Sequence, residues 1–102
     1  MSTQTGLTLL LLGISLFYFF WQPKNINLFY GYRTKLSRKN QKNWEVGNKT
    51  ASKYLLIFSS ANFILSLITD QLQLDFKTAL GVIIVVELII LFYLTEKKLS
   101  QL

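Results

Sequence analysis

The sequence predicts an all-α integral membrane protein with three transmembrane helices and a structured basic cytoplasmic loop between helices 1 and 2. Three observations lead there. Of 102 residues, 51% are hydrophobic, and these gather in three blocks instead of spreading along the chain. The formal net charge of +6, from 11 Lys plus Arg against 5 Asp plus Glu, falls mostly between the first block and the second. Nothing elsewhere is polar enough to cover the blocks, as a small soluble domain with a patch-free exterior would require. The whole chain, 1–102, reads as one membrane domain, with spans at about 5–22, 53–69 and 77–95 and a loop over 23–52.

The first block centres on GLTLLLLGISLFYFFW, and no charge falls between Ser2 and Pro23. That stretch exceeds the roughly 20 residues a helix needs to cross the hydrocarbon core. The preceding MSTQT holds no basic residue and no small-x-small cleavage site follows, so the block reads as a retained span and not as a cleaved signal. The second block, Tyr54 to Thr69, is uncharged but contains Ser59, Ser60, Asn62 and Ser66. The third, Thr78 to Thr95, is strongly apolar and carries Glu87. Both are short for spans, and snorkelling by Lys53 and Lys77 lengthens them.

Orientation follows from the cations. Lys24, Arg33, Lys35, Arg38, Lys39, Lys42, Lys49 and Lys53 lie between the first two blocks, opposed only by Glu45. The hairpin TDQLQLD between the second and third blocks holds Asp70 and Asp75. The positive-inside bias therefore predicts a cytoplasmic loop and C-terminus, with the N-terminus and the hairpin outside. Such a basic run signals topology and attraction to anionic lipid headgroups, and no nucleic-acid partner is expected.

Composition also bears on chemistry. Cysteine and histidine are absent, so neither a disulfide framework, an ordinary zinc site nor an imidazole base is available. No Gly-rich phosphate loop or dinucleotide fingerprint occurs, and no cofactor is expected. An enzyme is not expected either. Asn48-Lys49-Thr50 matches a glycosylation acceptor pattern that a cytoplasmic position would leave idle.

The loop holds more than topology requires. Pro23 ends the first helix, and Gly31, between Tyr30 and Tyr32, permits a tight or left-handed turn. Ser37 is a candidate N-cap. A helix starting near Arg38 would align Trp44, Asn48, Ala51, Leu55 and Phe58, and would either run on into the second block or break near Gly47. Arg33 beside Tyr30 and Tyr32 is an interfacial combination, with the rings at headgroup depth and the guanidinium directed to a phosphate or carboxylate.

Pro23-Lys24-Asn25, then Tyr30-Gly31-Tyr32-Arg33-Thr34, then Ser37, Asn40, Trp44 and Asn48, resembles the signature of the SdpI/YfhL family of bacterial integral membrane proteins. The resemblance covers about residues 22 to 68. Asn25, Gly31, Tyr32, Arg33, Thr34, Trp44 and Asn48 match its positions, while Lys35 replaces a common Pro and Gly47 takes the small-residue position. It implies a bacterial inner-membrane protein of toxin-immunity type. Its expected partners are the lipid bilayer and a membrane-active toxin peptide or a regulatory protein captured at the cytoplasmic face.

Within the bilayer, depth can be counted at about 1.5 Å per residue. Glu87, Asn62 and Ser15 then fall about 10, 12 and 9 Å from the cytoplasmic ends of their blocks. The three form an expected intramembrane polar cluster, because acidic groups at such depth face protein or a cavity. This leaves two alternatives: a small transporter or accessory subunit with a polar pocket at Glu87 that Arg33 would reach, or a structural membrane adaptor. Three helices bury little against one another, so homo-oligomer formation is open as well.

Overall fold

Three helices account for most of the chain: α1 (Thr3–Phe20), α2 (Gln41–Gln71) and α3 (Lys77–Ser100). The computed structural model describes residues 2–102. Each helix is long and apolar enough to cross a membrane. Ser2 caps α1, its hydroxyl accepting from the Thr5 amide at 3.1 Å. Lys97 and Lys98 occupy the last turn of α3, where the exposed carbonyls favour cations.

The second helix is longer than its apolar block. Its 31 residues extend about 46 Å at 1.5 Å per residue, against a hydrocarbon core of about 30 Å. Residues 41–52, within the segment expected between the first two spans, are its first turns. Of the two courses expected for a helix starting near Arg38, it takes the one that runs on past Gly47 without a break. Ser37 does not cap it. Asn40 does, accepting from the Asn43 amide at 2.8 Å. The Ser37 hydroxyl is committed to a separate turn over residues 35–38, where it accepts from the Thr34 amide at 2.7 Å. Thr34 Oγ1 in return accepts from the Ser37 amide at 3.1 Å.

α2 is the central element. α1 runs antiparallel along it, α3 packs on it, and α1 and α3 barely meet. The result is elongated, 48 × 23 × 18 Å. Burial is inverted relative to a water-soluble bundle. Leu10, Phe17, Ile64, Val82 and Ile89 are exposed, while Thr5, Thr8, Ser15, Ser59, Asn62 and Ser66 are buried. On α2, Asn48, Ser52, Leu55, Ser59, Asn62, Ser66 and Thr69 recur at alternating steps of four and three, the spacing of a left-handed helix-packing seam. Small side chains there let the backbones approach, and their hydroxyls find partners that lipid cannot supply.

The α1–α2 contacts fix the register. Gln4 Nε2 donates to Thr69 Oγ1 at 2.8 Å, the Thr8 and Ser66 hydroxyls lie 2.8 Å apart, and Gln22 Nε2 donates to Ser52 Oγ at 3.0 Å. This register sets Ser15 opposite Ser59. A bulky residue in the seam should therefore be costly. Ser66→Ala should destabilise the bundle by only about 0.6 kcal/mol, the usual worth of one such bond. Ser66→Leu should cost roughly 1–3 kcal/mol through overpacking, measured by reversible unfolding in mixed micelles.

Candidate functional site

Twenty residues, 21–40, connect α1 to α2, and one side chain joins them to both helices. Asn48, on the second turn of α2, is 1% exposed. Its Oδ1 accepts from the Tyr18 hydroxyl at 2.6 Å and from the Tyr32 amide at 2.7 Å, and its Nδ2 donates to the Trp44 carbonyl at 3.0 Å. A single amide thus joins α1, the connecting segment and α2. One turn earlier, the fully buried Trp44 donates its indole N–H to the Pro23 carbonyl at 2.8 Å, tying the start of the segment down.

Gly31 is required by this geometry. Its φ is +107°, and an added Cβ would lie 2.6 Å from both Asn48 Oδ1 and Pro23 Cγ. Gly47 serves a second close approach: a Cβ there would meet Leu99 at 3.3 Å and Ser37 at 3.4 Å, so the 35–38 turn and the end of α3 both press on bare helix backbone. Asn43 Nδ2 adds a bond to the Leu36 carbonyl at 2.9 Å.

Tyr32 extends the network to α3. Its hydroxyl donates to Glu96 Oε1 at 2.7 Å, and its ring lies 6.3 Å from that of Phe92. Burial, and then the adjoining Glu96 carboxylate, push the Tyr32 phenol above its ordinary value. Burial also raises Tyr30, whose hydroxyl meets no partner among the described residues. Beside the Tyr32–Glu96 bond, an apolar groove of about 700 Å³ opens between the 34–39 stretch and α3, lined by Thr34, Lys35, Leu36, Lys39, Phe92 and Glu96.

Other residues of the segment face outward. Asn25 and Arg33 are exposed. Asn27 Oδ1 accepts from the Phe29 and Tyr30 amides at 2.9 and 2.8 Å, forming a turn that presents Leu28 and Phe29, the latter 90% exposed. The Arg33 guanidinium donates to the Leu28 carbonyl at the other side of this turn. It does not reach Glu87.

In the middle of the bundle, Asn62 Nδ2 donates to Glu87 Oε1 at 2.7 Å, so two of the three residues expected to cluster do meet. Ser15 does not join them. Its hydroxyl donates to the Leu12 carbonyl of its own helix at 2.8 Å. The reason is topological: Ser15 lies on the α1–α2 seam and Glu87 on the α2–α3 seam, and α1 and α3 scarcely touch. Among the described residues, no group of three acidic side chains could hold a metal ion.

Sequence reading passed over Tyr18, Gln22, Ser52, Glu96 and the far end of the bundle. There Asp70 accepts from Ser2 Oγ at 2.6 Å, from Gln4 Nε2 at 3.0 Å and from Thr5 Oγ1, while Gln4 Oε1 accepts from the Phe76 amide at 2.9 Å. The four-and-three spacing of small polar residues was the available signal for the seam.

With the geometry in place, comparison with known proteins places the chain. Residues 24–95 match the family model of the SdpI/YfhL protein family. The chain belongs to that family. Neither a curated protein nor a solved structure matches it. Within this SdpI/YfhL chain the motif residues separate into two sets. Gly31, Tyr32, Thr34, Ser37, Trp44 and Asn48 hold the connecting segment in place, and Asn25 and Arg33 are displayed on it.

Two outcomes follow. Gly31→Ala should cost about 1–3 kcal/mol from the backbone conformation alone, and Asn48→Ala should free the segment without unfolding the seam. Limited proteolysis between residues 24 and 40 would register both. For Tyr32, a folded-state pKa raised above 10.0 means that the neutral phenol's contribution is complete below pH 10 and is lost as pH rises through the folded value. Wild type should thus exceed Tyr32→Phe by roughly 1 kcal/mol at neutral pH, with the margin vanishing in strong alkali, as followed by unfolding monitored at 295 nm.

Proposed function

We propose that this protein acts by binding, not by catalysis. A membrane-active peptide or a segment of a regulatory protein is held against the cap formed by residues 21–40. The reading takes the loop end as cytoplasmic, on the strength of its cations. The observation that carries it is the groove of about 700 Å³ between the 34–39 stretch and Phe92. It lies where the apolar part of α3 gives way to Glu96, Lys97 and Lys98, at the depth an amphipathic peptide occupies when it lies in the headgroup layer. Its walls pair apolar surface from Leu36 and Phe92 with Lys35 and Lys39, a combination suited to a peptide with an apolar face and an acidic edge.

Membership of a family linked to toxin immunity supports this direction. So do the hydrogen bonds that attach the segment to α1 and α2, because a surface held in advance loses less entropy on binding. Exposed Leu28 and Phe29, on the turn that Arg33 closes, offer a second apolar contact on the same connecting segment.

The test is protection or partner capture in cells carrying variants that still insert. Leu36→Asp and Phe92→Ala should abolish it, and Arg33→Ala should weaken it. Full protection by Leu36→Asp, at normal membrane abundance, would exclude the groove as the binding surface.

A further inference from the structure

A second cavity, of about 420 Å³, lies between α2 and α3 at the same end and belongs to neither the groove nor the motif. Lys49 and Lys53, one turn apart on α2, line it together with Lys98 from α3. Val46, Thr50, Tyr54 and Leu102 complete the wall. No acidic side chain lines it. The two nearest in sequence are occupied elsewhere: Glu96 accepts from Tyr32, and Glu45 accepts from Gln41 at 3.0 Å.

Three lysines brought to one cavity with no acidic side chain in its lining repel one another, and this is the arrangement that a bound anion relieves. Depth decides which anion. Lys53 immediately precedes the apolar block that begins at Tyr54, and Lys98 follows the one that ends at Thr95, so the cavity sits at the headgroup layer. Farther along the two helices, toward the middle of the apolar blocks, Ile57 and Leu88 are exposed. Basic pockets between transmembrane helices at this level suit the phosphate of an anionic lipid, with the acyl chains running down the helices.

We propose that Lys49, Lys53 and Lys98 form a binding site for an anionic glycerophospholipid, the phosphate seated among the three ammonium groups and the Tyr54 ring against the glycerol. The site rests on the membrane-spanning architecture and is independent of the peptide-binding reading above.

The experiment uses the full chain in detergent micelles, titrated with phosphatidylglycerol or phosphatidylcholine of matched chains and read by native mass spectrometry. Wild type should retain phosphatidylglycerol preferentially. Lys49→Gln combined with Lys98→Gln should weaken retention about fivefold per lysine, with helical content unchanged by circular dichroism. Lys24→Gln combined with Lys42→Gln removes the same charge elsewhere and should leave retention intact. Equal losses in the two double variants would reduce the effect to diffuse surface charge and overturn the site. Unaltered retention in Lys49→Gln/Lys98→Gln would overturn it as well. So would complete displacement by glycerol 3-phosphate at the lipid's own concentration, since the acyl chains would then contribute nothing.

Discussion

A hydroxyl or amide surrounded by hydrocarbon has no water to bond, so it must find a partner inside the protein or lie against its own helix. Everything else in this molecule follows from where those groups can meet. α2 carries most of them, and it is therefore the helix on which the other two pack. The Ser, Thr and Asn side chains of its seam are too small to hold α1 away, and each hydroxyl that bonds across the seam also fixes register. The large apolar side chains, freed from making a core, face outward.

The same rule explains why the connecting segment is attached as it is. Its backbone amides emerge at the end of a bundle whose outer surface is apolar, and Asn48 offers one of the few strong acceptors within reach. Because α2 extends well past its apolar block, Asn48 and Trp44 stand above the hydrocarbon and can hold Pro23, Gly31 and Tyr32 against the helix. Gly31 is the point where a side chain would not fit. The motif is thus an attachment, and the surfaces that face outward, the groove at Phe92 and the turn bearing Leu28, Phe29 and Arg33, depend on it for their position.

Charge follows a different logic from hydrogen bonding in this fold. Lysines and arginines concentrate at the loop end, yet the carboxylates there are taken up by Tyr32 and Gln41, not by cations. Lys49, Lys53 and Lys98 line a cavity between α2 and α3 instead. At the opposite end, Asp70 is surrounded by neutral donors from Ser2, Gln4 and Thr5, which anchor the start of α1 to the end of α2.

By itself the sequence determined the all-α class, three apolar helices of spanning length and the family, because hydropathy and a spaced Asn, Gly-Tyr-Arg-Thr and Trp pattern are local properties. It also anticipated that Asn62 and Glu87 meet, since two adjacent antiparallel helices joined by a short hairpin leave little freedom in depth. Only the tertiary structure decided that Ser15 stands apart from that pair, because which helices touch is not a function of depth. It alone showed that α2 starts at Gln41 and that Asn40 caps it, because Ser37 had a better partner in Thr34. And it alone divided the motif into residues that hold the segment and residues that display it, a distinction set by long-range contacts that no spacing along the chain encodes.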